Sequence, residues 1–153
     1  MTFRITGLDP SPFRDLHALS DAALAAQNIR RVRIEEKPSA PCRISLMDAE
    51  IGEHVLLLNH AHQLANTPYR QQGPIFVREI EQRFDARGIM PPALAIRLLS
   101  LRGFDAEGMM IEADIVEGVD APPLIGRFFE NGNVAYIHAH YARRGCFAAL
   151  IER

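Results

Sequence analysis

Four of the six histidines in this chain occur in two identical triplets, His60-Ala61-His62 and His138-Ala139-His140. Each triplet lies near the C-terminal end of a predicted strand. Because residues two apart on a strand project from the same face, both imidazoles of a triplet point the same way. If the two strands are neighbours with aligned ends, all four imidazoles converge. Imidazole binds zinc, copper, iron and nickel, so this pattern predicts a divalent transition-metal site at His60, His62, His138 and His140.

The triplets also have a purely structural interpretation. Histidines on strands often hydrogen-bond within a sheet or face the solvent. The cupin barrel, which binds its metal through a His-x-His pair, has a glutamate a few residues farther on. Here His62 is followed by Gln63-Leu64-Ala65-Asn66, which contains no carboxylate. Both interpretations therefore stay open at the level of the sequence.

A second group of reactive side chains lies at residues 136–146, around a predicted turn. A turn over residues 142–145 would bring His140 close to Cys146. Cationic neighbours favour a thiolate, and an imidazole can accept the thiol proton. In this enzyme hypothesis Cys146 is the nucleophile, His140 is the base and Arg144 stabilises developing negative charge. The alternative is that Cys146 is inert packing, as many free cysteines are.

Arginines beside turns suggest a third site. The planar guanidinium matches a carboxylate or a phosphate, although pairing with surface acids is its commoner role. Our leading hypothesis is a domain that binds a small anionic molecule in a His/Arg-lined pocket, with histidine tuning the affinity near neutral pH. The residues expected to line this pocket are Arg43, His62, Tyr69, Arg70, His138, His140 and Arg144.

The composition of the chain argues against several classes of function. The chain has 153 residues, 48% of them hydrophobic, and a net charge of −2, which predicts one soluble domain spanning residues 1–153. The absence of a basic excess argues against nucleic-acid binding. We expect no membrane span, no leader and a cytoplasmic location. The sequence contains no Gly-x-Gly-x-x-Gly or Walker A run, so a nucleotide cofactor is disfavoured.

The elements that would position these residues are mostly hairpins. Apolar alternation predicts hairpins from residues 43–47 with 55–62, 98–104 with 109–116, and 134–141 with 147–151. Residues 66–74 read as a loop and 75–78 as a strand. Helices are predicted at 21–27, 91–96 and 122–130. This pattern favours an α+β fold, a mainly antiparallel sheet with two or three helices packed on it.

Several runs together resemble a known family. They are Phe3-Arg4-Ile5-Thr6-Gly7-Leu8, Pro41-Cys42-Arg43-Ile44-Ser45-Leu46, Thr67-Pro68-Tyr69-Arg70, Gly73-Pro74-Ile75-Phe76-Val77-Arg78-Glu79, and Tyr136-Ile137-His138-Ala139-His140 with Arg144-Gly145-Cys146. The chain resembles, over its whole length, a bacterial family catalogued as domain of unknown function 1203. The resemblance implies a small bacterial cytoplasmic protein and assigns no activity, substrate or cofactor. A structural or assembly module, such as a homodimer formed through an exposed sheet edge, is a further alternative.

Overall fold

The computed structural model describes residues 2–153, which form nine strands in two antiparallel sheets together with short helices. The α+β prediction is therefore confirmed. The strands are β1 (Arg4–Thr6), β2 (Arg30–Arg33), β3 (His54–Gln63), β4 (Gln71–Arg78), β5 (Asp85–Arg87), β6 (Leu98–Phe104), β7 (Met110–Glu117), β8 (Tyr136–Tyr141) and β9 (Phe147–Glu152). The α-helices are α1 (Asp21–Ala26), α2 (Pro92–Ala95) and α3 (Ala121–Glu130), and Ser11–Ala18 and Gly118–Asp120 are 3₁₀-helical.

The larger sheet has six strands in the order β5-β1-β9-β8-β6-β7. Strand alternation gives it one apolar face, on which Leu99, Leu101 and Ile137 are fully buried. Helix α3 covers this face with the apolar side chains Ile125 and Phe128, which belong to the same core cluster. The histidines of β8 project from the opposite face of the sheet.

The smaller sheet has the order β2-β3-β4. A second core cluster, which includes Leu24 from α1 and Leu56 from β3, lies against it. Pro74 stands inside β4, paired with Asn59. Proline has no backbone N–H to donate to a neighbouring strand. It is tolerated here because β4 is an edge strand of this sheet. The predicted loop at 66–74 is accordingly wrong for its last residues, which belong to β4.

The predicted hairpin of residues 43–47 with 55–62 is wrong. Residues 42–47 form a tight turn, in which the Leu46 amide donates to the Cys42 carbonyl and the Cys42 amide to the Met47 carbonyl. Strand β3 pairs instead with β2 and β4. The alternation that predicted a strand reflects burial on all sides, because both Arg43 and Ile44 are about 1% exposed.

The two later hairpins are confirmed within a residue or two of their predicted bounds. β6 pairs with β7, β8 with β9, and β8 also lies beside β6. That last pairing sets His138 opposite Arg102 and His140 opposite Ser100. Within residues 2–153, every helix is too short or too polar to cross a membrane.

Candidate functional site

The two His-Ala-His triplets meet where the smaller sheet lies against the larger one. The ring centroid of His62 on β3 is 5.0 Å from that of His140 and 6.1 Å from that of His138, both on β8. Phe147 of β9 stacks on His62 at 5.1 Å with an interplanar angle of 8°. His60 packs instead against Phe147 and against Phe13. Three of the four predicted imidazoles therefore form one cluster, which we call the histidine cluster: His62, His138 and His140.

Burial keeps the histidine cluster neutral. Desolvation, with smaller contributions from neighbouring histidines and Arg102, lowers the pKa of His138 to about 3 and that of His140 to about 4. The Nδ1 of His140 lies 2.9 Å from the Gly145 carbonyl oxygen, to which it must donate its proton. The Nδ1 atoms of His62 and His138 are buried without a hydrogen-bond partner among residues 2–153.

The rings of the cluster contact each other edge to face, as buried aromatic side chains do. Among residues 2–153, no group of three or more His, Cys, Asp or Glu side chains is placed to hold a metal ion. The transition-metal site stays a prediction from the sequence.

A separate cavity of about 360 Å³ opens beside the turn between β8 and β9. Its walls come from the loop after β2, from the start of β6, from the end of β7 and from residues 141–146. The lining residues are Glu36, Pro38, Ser39, Pro41, Arg43, Phe76, Ile96, Arg97, Leu98, Glu117, Tyr141, Arg143, Arg144 and Cys146. We call this the arginine cavity, because four guanidinium groups from three segments of the chain lie around it: Arg43, Arg97, Arg143 and Arg144.

Arg43 is the buried charge of the arginine cavity, with about 1% of its surface exposed. Its Nε donates to the Phe147 carbonyl at 2.7 Å, and its Nη1 donates to the Pro41 carbonyl at 2.5 Å. Its Nη2 lies 3.1 Å from the Sγ of Cys146. Within residues 2–153 it forms no ion pair with a carboxylate. Buried charges are normally paired, so this guanidinium lacks its usual counter-ion.

Tyr141 lies beneath two of the arginines. The guanidinium carbon of Arg43 is 4.9 Å from the centroid of its ring, and that of Arg97 is 5.3 Å away. Arg97 also donates to both carboxylate oxygens of Asp48, at 2.6 and 2.8 Å. Burial raises the pKa of Tyr141 above its usual value, so its hydroxyl stays protonated. That hydroxyl is buried and has no partner in the described part of the chain.

Arg143 and Arg144 stand on the rim of the arginine cavity. Both are exposed. Gly145, at φ +81°, supplies the left-handed residue that the tight turn requires. In residues 2–153 neither arginine has a hydrogen bond or an ion pair. The carboxylates of Glu36 and Glu117 also line the cavity.

The structure separates residues that the sequence grouped into one pocket. Arg43, Arg144 and Cys146 line the arginine cavity, whereas the histidine cluster does not. Tyr69 packs edge-on against Phe104 at the end of β6, Arg70 donates to the Leu64 carbonyl, and neither residue lines the arginine cavity.

The sequence-predicted pair of His140 and Cys146 takes different partners. His140 bonds to the Gly145 carbonyl, and the sulfur of Cys146 accepts from Arg43. Consecutive residues on β8 face opposite sides of the sheet, so His140 joins the histidine cluster while Tyr141 turns toward the arginine cavity.

Among the lining residues that the sequence did not predict as site residues, three carry the chemistry of the cavity: Arg97, Tyr141 and Arg143. Tyr141 and Arg143 lie inside the run of reactive residues already noted, and strand alternation would have set Tyr141 apart from the histidines. Arg97 follows a four-residue helix, and no local pattern connects it with the turn after β8.

The sequence profile of the family described as "Protein of unknown function (DUF1203)" matches residues 39–153. The chain belongs to this family. The DUF1203 match covers both triplets and every lining residue of the arginine cavity except Glu36 and Pro38. It confirms the resemblance seen in the sequence over residues 39–153, and the first run, Phe3–Leu8, lies outside the match. No curated protein and no solved structure gives a significant match.

Proposed function

We propose that this DUF1203 domain binds a small organic anion in the arginine cavity. The observation that carries the proposal is Arg43, a guanidinium buried to about 99% beside a cavity and without a carboxylate partner in residues 2–153. Its three hydrogen bonds go to two carbonyl oxygens and a sulfur, which use three of its five N–H donors and leave its charge uncompensated. An anion in the cavity would supply the missing counter-charge.

The charges around the cavity support the same ligand class. Four arginines face two carboxylates there, and Arg97 is already paired with Asp48. The guanidiniums of Arg143 and Arg144 remain for a ligand to use. Tyr141, which also lines the cavity, has a neutral hydroxyl that lacks a partner in the described part of the chain. The volume, about 360 Å³, falls in the range of small-molecule sites.

This proposal keeps the ligand class of the sequence hypothesis and changes the residues. The histidine cluster packs between the sheets, and its imidazoles are neutral at physiological pH. We therefore assign the charge recognition to arginine, and in this proposal histidine does not tune the affinity near neutral pH.

Isothermal titration calorimetry at constant ionic strength tests the proposal, with succinate and inorganic phosphate as probes. Succinamide, which has nearly the shape of succinate but no charge, is the matched ligand control. We expect succinate or phosphate to bind and succinamide not to bind. The double variant R143Q/R144Q should weaken binding by about 10-fold or more, since a hydrogen bond to a charged group contributes about 1.5–3 kcal/mol.

Arg14→Gln is the matched protein control, because Arg14 pairs with Glu81 away from the cavity. This variant should bind the anions like the wild type. Equal binding of succinate and succinamide, unchanged affinity in R143Q/R144Q, or no binding of either anion would overturn the proposal.

A further inference from the structure

We propose that Cys146 is a thiol–disulfide exchange site for small disulfides that carry carboxylates. The inference rests on the proposed function, because the arginine cavity would bind the carboxylates of the incoming disulfide. It adds a covalent step at a named atom, the Sγ of Cys146.

Cys146 has a cationic donor at its sulfur. The Nη2 of Arg43 lies 3.1 Å from the Sγ, and Arg43 is held in place by its bonds to the Phe147 and Pro41 carbonyls. A fixed guanidinium stabilises the negative charge that sulfur carries when it attacks, and the thiolate is the reactive form of cysteine. Cys146 is half-buried and lines the cavity, so a ligand bound there reaches it.

The surroundings of the sulfur point independently to a ligand. Tyr141, a residue with about 4% of its surface exposed, lines the same cavity, and its buried hydroxyl lacks a partner within residues 2–153. Arg143 and Arg144 precede Cys146 on the rim. Carboxylates held by these two arginines would place an attached disulfide near the sulfur.

The other cysteine, Cys42, is enclosed by the fold and does not line the arginine cavity. Cys42 is fully buried, and its Sγ lies 3.4 Å from the Ile44 amide nitrogen and 3.3 Å from that of Arg78. Both cysteines are free. Modification is therefore expected at Cys146 and not at Cys42, which makes Cys42 an internal control.

The exchange step balances without another reactant. Cys146 releases its proton to solvent, and its thiolate attacks one sulfur of the disulfide. The bond between Sγ and that sulfur forms as the disulfide bond breaks, and the departing thiolate takes up a proton. Cys146 is oxidised, half of the disulfide is reduced, and a second small thiol reverses the reaction.

Intact-mass and peptide mass spectrometry on the full chain tests the step with three disulfide probes at low salt. They are oxidised glutathione, which carries carboxylates, hydroxyethyl disulfide, which is neutral, and cystamine, which is cationic. Each rate is divided by the rate with a short cysteine peptide, which corrects for intrinsic reactivity. We expect one adduct, on Cys146, and a corrected rate at least about 10-fold higher for oxidised glutathione than for cystamine.

Two variants and one competitor test whether the preference for oxidised glutathione over cystamine depends on the arginine cavity. C146S should abolish the adduct, R143Q/R144Q should remove most of the preference for oxidised glutathione, and succinate should slow the reaction. Arg14→Gln should leave the rates unchanged. Because Arg143 and Arg144 are exposed, their substitution leaves the core intact and the comparison is made on folded protein.

The outcomes separate the two proposals. If succinate binds through Arg143 and Arg144 but Cys146 gives no adduct in the folded protein, the exchange site is overturned and anion binding stands. If Cys146 reacts equally with all three probes after correction, the exchange proposal is also overturned, because the cavity does not select the disulfide. If neither anion binds and no selectivity is seen, both proposals fail.

Discussion

Arg43 links the turn at residues 41–48 to the β8–β9 hairpin through a single side chain. Its guanidinium donates to the Pro41 carbonyl, the Phe147 carbonyl and the Cys146 sulfur, and it lies over the ring of Tyr141. The residue is fixed before any ligand arrives, so a bound anion would meet an ordered charge. Such preorganisation lowers the entropic cost of binding.

Replacing Arg43 with methionine tests whether its hydrogen bonds or its uncompensated charge dominates. Arg43→Met leaves the Pro41 and Phe147 carbonyls without this donor, and each unsatisfied buried group costs about 1–3 kcal/mol. We expect the free energy of unfolding in urea to fall by about 2–4 kcal/mol. An unchanged or increased stability would show that desolvation of the charge outweighs these bonds in the unliganded protein.

Residue types were the most predictable part of the site. Arg43, Arg144 and Cys146 could be singled out because they stand beside turns and carry reactive groups. The burial of Arg43 was not predictable, because a guanidinium in a Pro-Cys-Arg run normally faces solvent. Its enclosure depends on β9, about a hundred residues farther along the chain.

At the scale of elements, helix α3 contains one residue, Gly126, that lowers the stability of the helix. Gly126 lies inside the helix, and a Cβ built there meets nothing within 4 Å. Glycine destabilises a helix interior by roughly 0.5–1 kcal/mol relative to alanine. Gly126→Ala should therefore raise the free energy of unfolding by about that amount, as measured by urea denaturation.

The same substitution at Gly118 provides the opposite control. A Cβ there would stand 1.8 Å from the Leu94 carbonyl oxygen, a backbone atom that cannot move aside cheaply. Gly118→Ala should destabilise the protein. If both variants shifted the free energy of unfolding in the same direction, helix propensity at Gly126 and the close backbone contact at Gly118 would not explain the effects of the two substitutions.

Local hairpins were predicted well and distant pairings were not. The strands of β6–β7 and β8–β9 are separated by short turns with glycine at the left-handed positions Gly108 and Gly145, so sequence signals specify them. The two partners of β3 lie on either side of it in the sequence. β2 is separated from β3 by residues 34–53, which include the tight turn at residues 42–47. No local pattern encodes that choice, because it depends on which apolar faces meet.

At the scale of the whole molecule, the two sheets meet through a layer of imidazole and phenyl rings. His62 of the smaller sheet contacts both Phe147 and His140 of the larger one, and those two rings also contact each other. The convergence of the two triplets is therefore a consequence of sheet packing. The sequence predicted that each pair shares a face, but it did not specify that those faces oppose each other.

This layer makes the stability of the whole fold depend on pH. The pKa of His138 is about 3 and that of His140 about 4 in the folded chain, against the ordinary value of 6.5. Between these values the unfolded chain binds protons that the folded chain does not. Stability is therefore full above about pH 6.5 and is lost as the pH falls toward 4. Each such histidine contributes a slope approaching 1.4 kcal/mol per pH unit, and the total is on the order of several kcal/mol.

The variant His138→Gln isolates one of these contributions. Urea unfolding is measured between pH 5.5 and 4.5, where the unfolded-state histidines are protonated and most carboxylates are still ionised. The slope of stability against pH should be smaller in the variant than in the wild type by about 1 kcal/mol per pH unit. Measurement at pH 8 is the control, since histidines are neutral there in both states and any difference reports packing alone. Parallel slopes in the two proteins would mean that His138 is protonated in the folded chain, and that the layer between the sheets is wetter than its packing indicates.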